Sequence, residues 1–313
     1  MVWADMDPGV DDIAALLALV GTTELVGVST VAGNHALADT DAHARRVLAA
    51  LGVPVPVYAG SERPLHWPLE TAGTVHGPAG RLLGLDRLPP AGPVPSVHAV
   101  DALREAFARA AEPFDLIATG PLTNVARFLA GSPAAARRVR ALWVMGGSLA
   151  RGGNISPLAE FNFYVDPHAA DWVLREAPVP VYVVGLDVTE RVRWTAAELE
   201  RWADAFAAVR PALGAALAAM FGYYAGRGDG PERGVAVHDA VAVAAWHRPT
   251  WFAWRRGRFR VEPGGRDTRG WLWQERDDGP VAVATDVDVT AVKAWVDAAV
   301  LRAAARRGAG EEQ

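Results

Sequence analysis

The sequence predicts an α/β fold: an open, mostly parallel, doubly wound (Rossmann-like) sheet with additional helices and a small β-hairpin edge. Two observations predict it. Short apolar, β-branched runs alternate with stretches of helical periodicity in β-α-β-α-β order, which feeds a parallel sheet. Polar residues and glycines recur directly after those runs, at what would be the carboxyl ends of the strands, where open sheets bind ligands. The 313 residues are 51% hydrophobic, enough for one large domain, read as residues 1–305, with a charged and disordered tail at 306–313.

In chain order, residues 2–4 form the first strand and 11–20 the first helix, which starts near Val10. Residues 24–31 are β-branched and read as a second strand ending in Ala32-Gly33-Asn34-His35. A helix over 39–51 and a strand over 53–58 follow. Residues 60–95 are rich in Pro and Gly and lack periodicity, the mark of a functional or disordered loop. Regular structure resumes with a helix at 97–111 and strands at 114–118 and 139–144. A second irregular, polar stretch covers 148–163. Asp166-Pro167 opens a helix, with Asp as N-cap and Pro at the first position. A strand at 179–184 leads to Asp187, helices cover 196–208 and 211–225, and a Gly-rich loop over 226–234 precedes His238-Asp239 and a helix at 240–246. Short alternating runs over 251–285 suggest edge hairpins, and 288–305 is a closing helix.

Composition excludes several classes. A net charge of −5 with no long basic run argues against nucleic acid. The absence of cysteine removes disulfides, thiolate catalysis and cysteine-ligated metal. No signal-peptide core opens the chain and no apolar run spans a membrane, so a soluble cytoplasmic protein is expected.

The chain is organised around Asp5-Met6-Asp7-Pro8-Gly9-Val10-Asp11-Asp12, read as strand, tight turn and helix start. Asp11 and Asp12 in the first helical turn suit the helix dipole, and capping alone accounts for a pair of acids there. Four carboxylates within eight residues are costly without a cation, and a hard divalent ion held by oxygen is the natural partner. Asp5, Asp7, Asn34, Thr119, Gly146 and Asp187 would share one rim of the sheet. Such a site suits an ion and a polyhydroxylated ligand.

At this point the chain resembles the nucleoside hydrolases of the inosine-uridine-preferring type. The likeness rests on the acidic motif above, Val31-Ala32-Gly33-Asn34, His76-Gly77, Thr119-Gly120-Pro121-Leu122-Thr123-Asn124, Met145-Gly146-Gly147, Gly153-Asn154, Ala159-Glu160-Phe161-Asn162, Val165-Asp166-Pro167, Asp187-Val188-Thr189 and His238-Asp239, in the family's order. It thins after about residue 250, where Arg269-Gly270 and residues 283–287 carry it. The resemblance implies Ca²⁺ held by Asp7, Asp12, Asp239 and the Thr119 carbonyl, with places left for a water and two ribose hydroxyls. It implies Asp7 as general base and His238 as a candidate acid or base contact. Asp11, Asn34, His76, Asn154, Glu160, Asn162 and Asp239 match substrate-binding positions. The implied activity is hydrolysis of the N-glycosidic bond of ribonucleosides through an oxocarbenium-like transition state, by a homodimer or homotetramer. On the residues alone, Asn154 and Asn162 read equally well as loop caps, and His76 as an ordinary loop histidine.

The chain departs from the family where His238-Asp239 is followed by Ala240, without the family's second Asp-Pro. Tyr223 and Tyr224 are present, but the second base-proximal tyrosine common in purine-accepting members is absent, which leaves base preference open. Trp67 reads as packing rather than a base contact. A haloacid-dehalogenase-like phosphatase also opens with strand and Asp-x-Asp, but Pro8-Gly9-Val10-Asp11-Asp12 does not suit it. Two other readings stand beside hydrolysis of ribonucleosides: action on another N-riboside such as nicotinamide riboside, and metal-dependent binding without turnover.

Overall fold

The computed structural model describes residues 1–306, apart from 74, 78–80, 90, 91, 93, 94 and 229–232. The elements in order are β1 (Val2–Met6), α1 (Val10–Thr22), β2 (Leu25–Thr30), α2 (Leu37–Leu51), β3 (Val57–Ala59), α3 (Ala99–Arg109), β4 (Phe114–Ala118), α4 (Thr123–Gly131), α5 (Pro133–Ala136), β5 (Val139–Met145), α6 (Phe161–Val165), α7 (Pro167–Glu176), β6 (Val181–Val184), α8 (Leu186–Thr189), β7 (Arg193–Trp194), α9 (Ala196–Ala207), α10 (Pro211–Ala225), β8 (Val235–Ala236), α11 (His238–His247), β9 (Phe252–Val261), β10 (Leu272–Val287) and α12 (Val289–Ala305).

Eight strands form one sheet in the order β3-β2-β1-β4-β5-β6-β10-β9, parallel except for the antiparallel β9–β10 pair. From β1 the chain steps outward through β2 and β3, then returns to β4 on the other side. The order therefore reverses between β1 and β4, and the carboxyl ends of both strands face the crevice that this switch opens.

The period of two along each strand divides the apolar residues between two helical layers. Ala4, Ile117 and Trp143 join α1, α10, α11 and α12 on one face. Trp3, Leu116, Leu142 and Val183 join α3, α4 and α7 on the other. Asp5 shares a face with Trp3, and it stays buried there because Ser29 Oγ and Asn124 Nδ2 both donate to its Oδ1, at 2.5 and 2.9 Å.

Several boundaries differ from the sequence expectation. β3 is only three residues long, because Pro54 and Pro56 have no N–H to give a ladder; Pro56 contributes its carbonyl, which accepts from Val28 N–H. The expected short hairpins are one long antiparallel pair, and register shifts between Gln274 and Arg276 and between Arg276 and Val281 carry Gly279 and Pro280 through as bulges. α11 begins at His238, which brings Asp239 into its first turn. Arg306 is tied to Val20 and Arg302, and the rest of the expected tail, 307–313, lies outside the described residues. Among the described residues no helix is long and apolar enough to cross a membrane.

Candidate active site

Asp7 follows the end of β1, and its turn is shaped by what must fit beneath it. A Cβ on Gly33 would lie 2.1 Å from Asp7 Oδ2, and one on Gly9 would lie 2.7 Å from Asn34 Nδ2. Both positions need glycine because polar groups approach the backbone there. Asn34, in the turn after β2, uses that proximity. Its N–H donates to Asp7 Oδ2 at 2.7 Å, and its Nδ2 donates to the Asp7 carbonyl at 3.1 Å and to Asp12 Oδ2 at 3.2 Å. Asp12 also accepts from Gly9 N–H at 2.9 Å and from Thr119 Oγ1, after β4, at 2.7 Å.

Asp11, Asp12 and Asp239 converge from the starts of α1 and α11, with carboxylate oxygens within 4.8 Å of one another. Asp7 is not one of this trio but lies close enough to couple with it. Burial pushes its carboxyl well above the usual range, and the charges of Asp12, Asp11 and Glu160 push the same way. Burial and the Asp11 charge raise Asp12 to about 7. Asp239 is also raised well above normal, by burial, by the charges of Asp11, Asp12 and Asp7, and by a hydrogen bond that keeps a proton on it beside Asp12. Asp7 Oδ1 and Asp11 Oδ1 are buried with no hydrogen-bond partner. Buried acids with orphaned oxygens are costly as they stand, and a divalent cation with an appetite for oxygen fits this donor set.

The opposite wall comes from α6. Glu160 is its N-cap and accepts from Gly147, Asn162 and Phe163 N–H groups. Burial still outweighs those bonds and raises its carboxyl to about 7. Asn162 Nδ2 donates to the Thr119 carbonyl at 2.8 Å, leaving that oxygen a second lone pair. Asn154, exposed on the preceding loop, accepts from Phe161 N–H at 2.9 Å.

These groups surround a cavity of about 240 Å³. Asp11, Asn34, His76, Thr119, Asn154, Glu160, Asn162, His238 and Asp239 line it, while Asp7 and Asp12 lie fully buried behind that lining. Every residue that the resemblance implied for the ion or the substrate is thus in or directly against one cavity. His76 Nδ1 accepts from Val10 N–H at 3.1 Å, and burial lowers its pKa despite Asp11 nearby. The ring is therefore neutral with its proton on Nε2. It stacks on Tyr224 at 5.8 Å, and Tyr224 Oη donates to the Ala236 carbonyl. His238 is half-buried, with Nδ1 against Thr189 Oγ1 at 2.8 Å.

Sequence reasoning missed several neighbours. Thr71, Ala72, Gly73, Val75, Ile155 and Phe161 line the cavity, and only their adjacency to His76, Asn154 and Glu160 hinted at it. His35 and His43 are buried under the acidic turn. His43 Nδ1 contacts the Pro8 carbonyl, and burial lowers His35 to about 3. Conversely, Asp187 does not reach the cavity, because it accepts from the N–H groups of Leu149, Ala150 and Arg151 and ties down that turn. Trp67 packs as expected, donating to the Pro263 carbonyl.

Comparison with known proteins adds three findings. The family described as inosine-uridine preferring nucleoside hydrolase matches residues 2–294. The non-specific ribonucleoside hydrolase RihC of Klebsiella pneumoniae is 36% identical over 309 residues, covering 93% of this chain and 95% of the relative, and RihC of Escherichia coli O127:H6 is 35% identical over 305 residues, covering 94% and 96%. The solved structure of a purine-preferring ribonucleoside hydrolase from Gardnerella vaginalis superimposes with a TM-score of 0.87 at 28% identity, covering 97% of this chain and 98% of the other.

Proposed function

The chain belongs to the inosine-uridine preferring nucleoside hydrolase family, and from that premise we propose that it is a Ca²⁺-dependent ribonucleoside hydrolase releasing ribose and free base. The observation that carries the reading is the buried set Asp7, Asp11, Asp12 and Asp239 facing Glu160 and Asn162 across a nucleoside-sized cavity. Asp7, Asp12, Asp239 and the Thr119 carbonyl would hold Ca²⁺, which when bound supplies a lowered water pKa and a seat for a vicinal diol.

The side chains do the rest. Asn34 fixes Asp7 Oδ2 and leaves Oδ1 buried and unpartnered, an atom suited to take a proton from water. The water oxygen bonds to the anomeric carbon as the carbon–nitrogen bond breaks, and that electron pair leaves with the base. Positive charge then grows on the sugar ring. Glu160, outside the residues that would hold the ion, has a carboxyl raised to about 7 by burial, so its ionised form would be stabilised by positive charge growing beside it. Asp11, Asn34, Asn154, Glu160, Asn162 and Asp239 offer acceptors and amides to the sugar hydroxyls. At the other end His238, steadied by Thr189, would protonate or contact the departing base, and His76 would offer an Nε2–H donor beside Tyr224.

The test is incubation with inosine, adenosine, guanosine, uridine, cytidine and their 2′-deoxy forms, with ribose and base both quantified. Equal amounts of the two products from ribosides are expected. Deoxyribosides should be poorer by about 10⁴-fold, since the buried polar groups would go unpaired. Release from none of the ribosides would overturn the proposal.

A further inference from the structure

Arg269 lies in the connection between β9 and β10, remote in sequence from every site residue, yet it is only 4% exposed. Its guanidinium is sandwiched between two aromatic rings, 4.2 Å from the centroid of Trp67 and 4.0 Å from that of Tyr164. In the plane between them three of its N–H groups make hydrogen bonds. Nε donates to the Tyr164 carbonyl at 2.8 Å, Nη2 to the Val165 carbonyl at 3.3 Å and Nη1 to Glu70 Oε1 at 2.6 Å. Tyr164 Oη donates to the other Glu70 oxygen at 3.3 Å. Gly270, at φ +79°, lets the backbone descend onto α6: a Cβ there would lie 2.6 Å from Tyr164 Cα.

The partners of this arginine do not themselves line the cavity, but each continues in the chain into a segment that does. Tyr164 and Val165 end α6, the short helix whose start carries Glu160, Phe161 and Asn162. Trp67 and Glu70 end a loop that runs straight on to Thr71, Ala72, Gly73, Val75 and His76. That loop has further fastenings on the same side. Leu65 N–H donates to Asp166, and His66 packs on His168 at 4.3 Å between centroids. Between Glu70 and His76 the described hold is sparser, with Ala72 N–H to the Asn34 carbonyl at 3.2 Å and Val75 N–H to the Ala72 carbonyl at 3.1 Å, before His76 itself is anchored by Val10 N–H and by stacking on Tyr224.

We propose that Arg269 is a positioning residue: by clamping Trp67 and Glu70 to the end of α6, it sets the distance between the His76 wall and the Glu160–Asn162 wall of the cavity. Lysine cannot replace it, because the geometry uses a planar fork with a ring on each face. The proposal deepens the hydrolase reading above and rests on it for its kinetic arm alone.

The experiment compares the wild type with Arg269→Lys, Arg269→Ala and Glu70→Gln. Glu70 is half exposed, so its change spares the core and keeps the test informative if Arg269→Ala does not fold. Steady-state kinetics on a riboside should show KM raised about tenfold in Arg269→Lys and less in Glu70→Gln, with kcat within about threefold, the mark of a displaced binding wall rather than lost chemistry. Amide hydrogen exchange at Ala72 and Val75 should quicken in both variants while β1 and β4 keep their protection. Unchanged KM together with unchanged exchange at Ala72 and Val75 would overturn the proposal, whatever happens to Tm. Should the wild type hydrolyse no riboside, the exchange arm still decides the clamp by itself.

Discussion

Asn34 holds Asp7 at two points, its N–H donating to Oδ2 at 2.7 Å and its side-chain amide to the Asp7 carbonyl at 3.1 Å. The same amide reaches Asp12 Oδ2. Asn34→Ala keeps the first bond and loses the others, so kcat should fall about 10- to 100-fold through misplacement of Asp7 and Asp12. Asn34→Asp should be worse, since it puts another acid against Asp12. Steady-state rates check both. Wild-type turnover in the two variants would remove Asn34 from the site.

Asp7→Asn tests the base. The amide occupies the same space but takes no proton, and kcat should drop by at least about 10³-fold. Stability should move the other way. Removing one of several repelling buried carboxyls should leave the Tm of the chelated protein unchanged or higher. A lower Tm would mean that Asp7 is held by something stabilising that its hydrogen bonds do not reveal.

Asp5 should behave oppositely, although it stands two residues away. It accepts from Ser29 and Asn124 on the other face of the sheet and takes no part in the cavity. Asp5→Ala should cost about 2–4 kcal/mol by leaving those buried donors unpaired, with kcat per folded molecule little changed. Denaturant unfolding and active-site titration separate the two effects.

The pH dependence follows from the raised carboxyls. Asp12 and Glu160 titrate near 7 in the folded protein and near 4 when unfolded, and Asp7 and Asp239 shift the same way. A raised folded value favours the protonated group, so its stabilising contribution is complete below the unfolded value and is lost as pH rises through the folded one. The chelated protein should therefore lose Tm between about pH 4 and pH 8. Added Ca²⁺ binds the ionised form, so its stabilising increment should grow over the same range, with proton release on binding. Thermal scans at several pH values with EDTA or Ca²⁺ check the sign; a constant increment would contradict it.

Much of this was legible in the sequence, for reasons that can be located. The acidic turn, Asn34, Thr119, Glu160-Asn162 and Asp239 all sit where a strand ends or a helix begins, and such junctions carry strong local signals of glycine, proline and capping residues. Those same signals misled at Asp187, whose acceptors are spent on the N–H groups of residues 149–151, because sequence position marks the rim without saying which way a side chain turns. Val75 and Ile155 were out of reach as cavity lining, since apolar residues in loops carry no such mark, whereas Tyr224, noted beside Tyr223 in the sequence, does line it. Arg269 was the hardest to place. Its partners lie 199 residues upstream at Glu70 and 105 upstream at Tyr164, and only the fold brings them together.

The most direct measurement is the initial rate of ribose release from inosine and uridine by one preparation, assayed as purified, after exhaustive EDTA treatment, and after Ca²⁺ is restored. Turnover should vanish on chelation and return to its starting value with Ca²⁺ in the wild type, and stay absent under all three conditions in Asp7→Asn. Full activity in the chelated wild type would contradict a metal-assisted reaction at the Asp7–Asp12–Asp239 site.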